Sequence, residues 1–219
     1  VFVQELTKLI GPALQLSIAL LVLAVGLRAS WPDVTYLFRR PALLARSVAA
    51  RNVLVPALTV VLVRTMRLEP PVTAALLALS VAAVPPILPR SLLKAGGRQP
   101  YVFGLLTSQS ILAIVFVPLS LIVFNELLGF HARFAPRQVA PIILTLTLLP
   151  LAIGVACRRF APWWSHRVAN VVHAAAAAVL SVALIGVFAV AWRAWWMLLG
   201  NGTLIAMILL TILGLGAGH

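Results

Sequence analysis

Few residues in this chain could do chemistry, and those few sit in apolar surroundings. Pro85, Pro86 and Pro89 fall within the stretch AAVPPILPR, residues 82–90. Each proline lacks an amide donor and crowds the turn before it, so the stretch cannot continue an ordinary helix. The backbone of Pro85, Pro86, Ile87, Leu88 and Pro89 is therefore a candidate for free carbonyls and amides that could meet an ion or an anionic group. A second candidate group is Thr107, Ser108, Gln109 and Ser110, consecutive in an apolar run. Positions 107 and 110 share a helix face, as do 107 and 111, so part of this group can point toward the broken segment. Serines and threonines commonly serve helix packing in membranes; a glutamine among three of them is less readily explained that way. The third candidate is Arg51, roughly 12 Å into another apolar run at 1.5 Å per residue.

These residues are suited to binding rather than bond-making. The apolar runs hold no acid–base pair, no nucleophile with a partner and no metal cluster, which argues against an enzyme. The single cysteine, Cys157, can form no intrachain disulfide. His131, His166 and His219 lack metal-ligand spacing, and His173, before the alanine run 174–178, reads as a helix-packing residue where small side chains allow close approach. No cofactor is implied.

The elements that must position the candidates follow from composition. Hydrophobic residues make up 63% of the 219 positions and charged ones 10%, with a mean hydropathy of +1.10; soluble domains carry about 25% charged residues. The chain reads as an integral membrane protein. Apolar runs at about 9–27, 43–63, 72–95 (broken at 85–89), 101–124, 139–156, 168–190 and 195–215 predict a single unit of about seven spans. Runs of this length without alternating polarity predict helices, not barrel strands, and so an all-α polytopic fold. The first run lacks the cleavage site and polar sequel of a signal peptide. The third has only VTAALLALSVAAV before the prolines, too short to cross, so the chain either completes the crossing beyond the break or turns back. Such a break survives in hydrocarbon only where protein or a wet cavity satisfies its backbone. A simple kink without a ligand is the other possibility.

Seventeen basic residues against four acidic ones give a formal charge of +13. Because they bracket apolar runs, the basic residues point to anionic lipid headgroups and not to nucleic acid. Ten lie in the first, third and fifth connections (Arg28, Arg39, Arg40, Arg46; Arg90, Lys94, Arg98; Arg158, Arg159, Arg167) and six at the N-terminus and the other connections (Lys8, Arg64, Arg67, Arg133, Arg137, Arg193). The ten are expected to face the cytoplasm, placing the N-terminus outside an inner (plasma) membrane. The six tryptophans all fall at segment edges, as interfacial residues do. SIAL at 17–20 and SVAL at 181–184 echo one another in the first and sixth spans, which would run in opposite directions, as in inverted-repeat transporters.

The section from about Val25 to Phe124 resembles the bile acid:sodium symporter (BASS) superfamily. The likeness is carried by VGL at the end of the first span, LFRRPALL, NVLVP, the proline break, KAGG and SILAIVFVPLSL, and continues more weakly through RQVAPIILTLTLLPLAIGVACRRFAP. The resemblance implies ten spans in two inverted sets of five, with panel and core domains and a site at crossed, discontinuous helices. The seven spans would correspond to the second through eighth, so a truncated reading frame, a trimmed chain or a reduced homologue is expected. The resemblance also exposes departures. Ser91 is the only hydroxyl or amide side chain in PPILPRS, Pro89 stands where an asparagine is expected, and Arg51, beside Asn52, stands where many relatives have glutamine. Glu5, Asp33, Glu69 and Glu126 lie near segment ends, so a sodium ion is a possible but doubtful coupling partner.

The expected function is secondary transport of a small organic anion by alternating access, with Arg51, Asn52, Ser91, Thr107, Ser108, Gln109 and Ser110 as the candidate binding set. Arg51 either faces the cavity and attracts a carboxylate or sulfonate, or reaches with Arg46 toward the headgroups. The other reading is a non-transporting membrane scaffold that keeps part of the transporter fold. Substrate and oligomeric state are not encoded in any motif.

Overall fold

The computed structural model describes residues 2–66, 68–82, 88–128, 139–198 and 203–218, and within them every element is helical. The helices are α1, Phe2–Gly26; α2, Trp31–Val34; α3, Pro41–Thr65; α4, Pro70–Val81; α5, Leu88–Lys94; α6, Gln99–Leu128; α7, Pro141–Phe160; α8, Pro162–Leu198; and α9, Thr203–Gly218. Five of them, α1, α3, α6, α7 and α8, are long and apolar enough to cross a membrane, while α4 and α9 are shorter apolar helices. The protein is an all-α, multi-pass membrane protein.

Proline shapes both α3 and α7 in the same way. Each contains one wide π-helical turn, Ala49–Leu54 in α3 and Leu144–Leu148 in α7. In these turns the amide of Val55 bonds to the Ala50 carbonyl, and that of Leu149 to the Leu144 carbonyl, five residues back. One residue later comes a proline, Pro56 or Pro150. Having no amide and crowding the carbonyl four residues before it, proline favours a turn that takes in an extra residue.

The helices pack in two sets. In the first, α1 lies against α7 and along α8. Its crossing with α7 is built on two glycines: a Cβ on Gly154 would stand 2.7 Å from the Leu23 carbonyl oxygen, and one on Gly26 would stand 2.6 Å from that of Leu151. Along α8, Ala169, Ala176 and Ala183 are buried at every seventh position, so small side chains admit α1. Buried His173 lies on that stripe, in keeping with a packing role. In the second set, α3 packs on α4 and α9, with Leu62, Val72, Leu76 and Ala206 at its centre. Helix α6 touches α2, α4 and α5 and the start of α7. Val22, Val25, Phe103, Leu106, Leu151 and Val155 form the core that joins the sets. Large apolar residues on the outer faces, such as Val115 and Ile122 of α6 and Val182 and Ile185 of α8, are exposed, as a lipid-facing surface requires.

The sequence places the seventh span from about 195; instead α8 continues to Leu198 and α9 starts at Thr203. Phe188, Trp192 and Trp196, spaced four apart, stack edge to face with centroids 5.0 and 5.6 Å apart. That chain of contacts carries the helix past the expected boundary.

Candidate functional site

The third apolar run is interrupted. Helix α4 ends at Val81, and Ala82, with φ −57° and ψ 142°, takes the backbone out of the helix. Helix α5 begins at Leu88 with buried Pro89 as its second residue, a place in the first turn where the missing amide costs nothing. Leu88 and Pro89, expected in the broken backbone, thus belong to the first turn of α5. Pro85, Pro86 and Ile87 lie outside the described residues. The KAGG stretch closes α5: Gly96, at φ +89°, is left-handed, and its amide bonds to the Leu93 carbonyl while that of Gly97 bonds to Leu92 at 2.8 Å. This C-terminal motif needs a residue without a side-chain penalty at positive φ, which explains the glycine.

Arg51 and Asn52 both sit in the wide turn of α3. Half-buried Arg51 donates from Nη2 to the carbonyl oxygen of Ala82 at 2.7 Å, so the guanidinium rests on the C-terminal end of the interrupted helix. Asn52 points to α6 and donates from Nδ2 to Gln109 Oε1 at 2.9 Å. Gln109 is 2% exposed, and its Nε2 finds no acceptor among the described residues. A buried donor without a partner costs about 1–3 kcal/mol, so this amide is poised for a water or an anionic oxygen. Nearer the start of both helices, Ser47 Oγ and Tyr101 Oη are 3.1 Å apart and tie α3 to α6 again.

The hydroxyls beside Gln109 are committed locally. Thr107 donates to the Phe103 carbonyl at 2.9 Å, Ser108 to Leu105 at 3.2 Å and Ser110 to Leu106 at 2.7 Å. Their oxygens keep lone pairs, but their protons are held within α6. Ser91 is exposed on α5 and joins none of these contacts among the described residues. The structure therefore joins Arg51 to the end of α4 and Asn52 to Gln109, and places Thr107, Ser108 and Ser110 beside Gln109 on α6.

A cavity of about 370 Å³ opens beside Asn52 between α3 and α6. Asn52 and Ser120 are its polar side chains, and Pro56, Val60, Phe116 and Phe124 supply apolar wall. Sequence reasoning misses Phe116, Ser120 and Phe124, although their spacing of four marks one face of a helix. It also misses the Ala82 carbonyl, because a backbone acceptor leaves no signature.

An interrupted apolar helix, an arginine within a neighbouring span and a part-buried amide pair define a polytopic membrane protein with polar groups inside it. The sodium bile acid symporter family model matches residues 15–206, and the chain belongs to that family. No curated protein sequence matches the chain.

Proposed function

We propose that this chain works as a secondary transporter for a small organic anion, by alternating access. The observation that carries the reading is the position of Arg51, half-buried in the wide turn of a span, with one guanidinium nitrogen on the Ala82 carbonyl. An arginine inside a membrane is costly unless it pairs or faces water. A guanidinium has five N–H donors in a planar fork that matches a carboxylate or sulfonate, and among the described residues one of them is given, to Ala82. The Gln109 amide supplies a neutral donor nearby, and the cavity beside Asn52 suits an apolar body. Family membership supports the same class of cargo: the family's description names bile acids, which are amphipathic organic anions.

In this reading the interrupted helix and its neighbours α3 and α6 rock against the set formed by α1, α7 and α8, exposing the polar centre to each side in turn. The arginine-rich connections face the cytoplasm, the N-terminus lies outside, and anionic lipids of the plasma membrane contact the basic edges.

The test is uptake by proteoliposomes holding the full-length native protein, with a radiolabelled bile salt and a shorter aryl sulfonate as probes. Saturable uptake that falls at least tenfold in Arg51→Ala, with partial recovery in Arg51→Lys, is expected. Uptake unchanged in both variants removes Arg51 from the site, and no uptake of either anion by the wild type favours a non-transporting scaffold.

A further inference from the structure

We infer that the Arg51 guanidinium is a built-in cation that takes the place of a mobile sodium ion at the end of the interrupted helix. This deepens the transport reading and rests on it. The last carbonyls of a helix have no partner within it and carry partial negative charge. In transporters with discontinuous helices, such half-helix ends and the unwound carbonyls beyond them are where a coupling cation is held. Here Ala82 leaves the helix, and its carbonyl accepts from Arg51 at 2.7 Å. The guanidinium is permanently charged and carries donors only, so it satisfies that carbonyl and repels a second cation from the same place.

The side chains around it fit a fixed cation and do not fit sodium, which needs several oxygen ligands. Among the described residues no carboxylate reaches this helix end. Asp33 accepts from the Ser30 amide at 2.8 Å, Glu69 stands at the opposite end of α4, and Glu126 lies near the far end of α6. Gln109 Oε1 already accepts from Asn52, and no group of three or more acidic, histidine or cysteine residues suited to a metal occurs among the described residues.

Arg64, further along the same helix, makes a similar contact: its Nη2 meets the Leu127 carbonyl at 2.7 Å, near the C-terminal end of α6. Both contacts are exposed, but that of Arg64 lies at the end of α3, where an ordinary helix cap is sufficient. Arg51 differs in being within the span, at the break, where a mobile ion would otherwise be needed to balance the carbonyl. A charge fixed to α3 is not released to either side of the membrane, so an anion meets a positive centre whatever the sodium gradient.

The experiment is thermal unfolding of the purified full-length protein in detergent, at constant ionic strength, with sodium chloride exchanged for choline chloride. Wild type and Arg51→Lys are expected to melt at the same temperature in both salts, while Arg51→Gln, which exchanges the cation for a neutral oxygen ligand, gains a sodium-specific rise. A sodium-specific rise in the wild type overturns the inference, as does a folded Arg51→Gln that ignores sodium. If Arg51→Gln fails to fold, equilibrium binding of radioactive sodium to the wild type decides: saturable binding overturns the proposal and its absence supports it. Sodium-driven anion uptake by the wild type would sink this inference and leave transport standing. A sodium response confined to Arg51→Gln, with no anion uptake by the wild type, would do the reverse.

Discussion

Asn52 and Gln109, 57 positions apart, close a 2.9 Å amide-to-amide hydrogen bond between α3 and α6. Gln109 Nε2, which carries two N–H donors, stays buried without an acceptor among the described residues. The pair is at once a cross-link between spans and the holder of an unpaired buried donor.

Replacing one member should cost more than half of replacing both. Asn52→Leu leaves the whole Gln109 amide buried and unpaired, a penalty of about 1–3 kcal/mol, whereas Asn52→Leu with Gln109→Leu removes the polar groups together. Unfolding of the four proteins in detergent should give a coupling energy of about 0.5–2 kcal/mol, within the range for hydrogen bonds between membrane helices. Additive single effects would show that the two amides do not hold each other.

Gly154 should tolerate no side chain. Its Cβ would meet the Leu23 carbonyl oxygen and the Leu27 amide nitrogen, both at 2.7 Å, and backbone atoms cannot turn aside as a flexible side chain can. Gly154→Ala is expected to destabilise by about 1–3 kcal/mol, the usual cost of overpacking. Gly214→Ala, with open space around its Cβ, should be close to neutral in the same melts.

Pro56 should matter more to geometry than to stability. Pro56→Ala restores an amide that can bond four residues back, so the wide turn can tighten and rotate Arg51 and Asn52 by about 100° against the rest of α3. In a Cys157→Ser background, Asn52→Cys and Gln109→Cys should cross-link readily with Pro56 present. Cross-linking should fall severalfold in Pro56→Ala.

Orientation can be read chemically. His166, exposed at the start of α8, adjoins Arg167 at the end of the helix that the proposed topology puts on the cytoplasmic side. A membrane-impermeant maleimide should label His166→Cys, in the Cys157→Ser background, in inverted vesicles and not in intact cells. The opposite pattern would invert the topology.

The sequence makes the fold largely legible because lipid selects for long apolar runs, and a charge or a proline inside one stands out. Arg51 is visible for that reason, but its partner is not: Ala82 contributes a carbonyl that any residue would have. Gln109 also stands out, yet its bond to Asn52 depends on how α3 and α6 meet. Grouping Thr107, Ser108 and Ser110 with it overlooks a local competitor, since a carbonyl three or four residues back is always within reach of a serine or threonine in a helix. The end of α8 escapes a span count because the aromatic contacts from Phe188 to Trp196 reward helix beyond the length the membrane demands.

The Gly26–Gly154 crossing bears on motion. Where two backbones touch with no side chains between them, there are no rotamers to rearrange and therefore no second way to nest, so α1 and α7 form a stiff strut. Sliding needs surfaces with alternative fits, such as the branched and aromatic chains of Val22, Val25, Phe103 and Leu106. In the proposed rocking motion that seam is the place for movement, and the glycine pair is its fixed post.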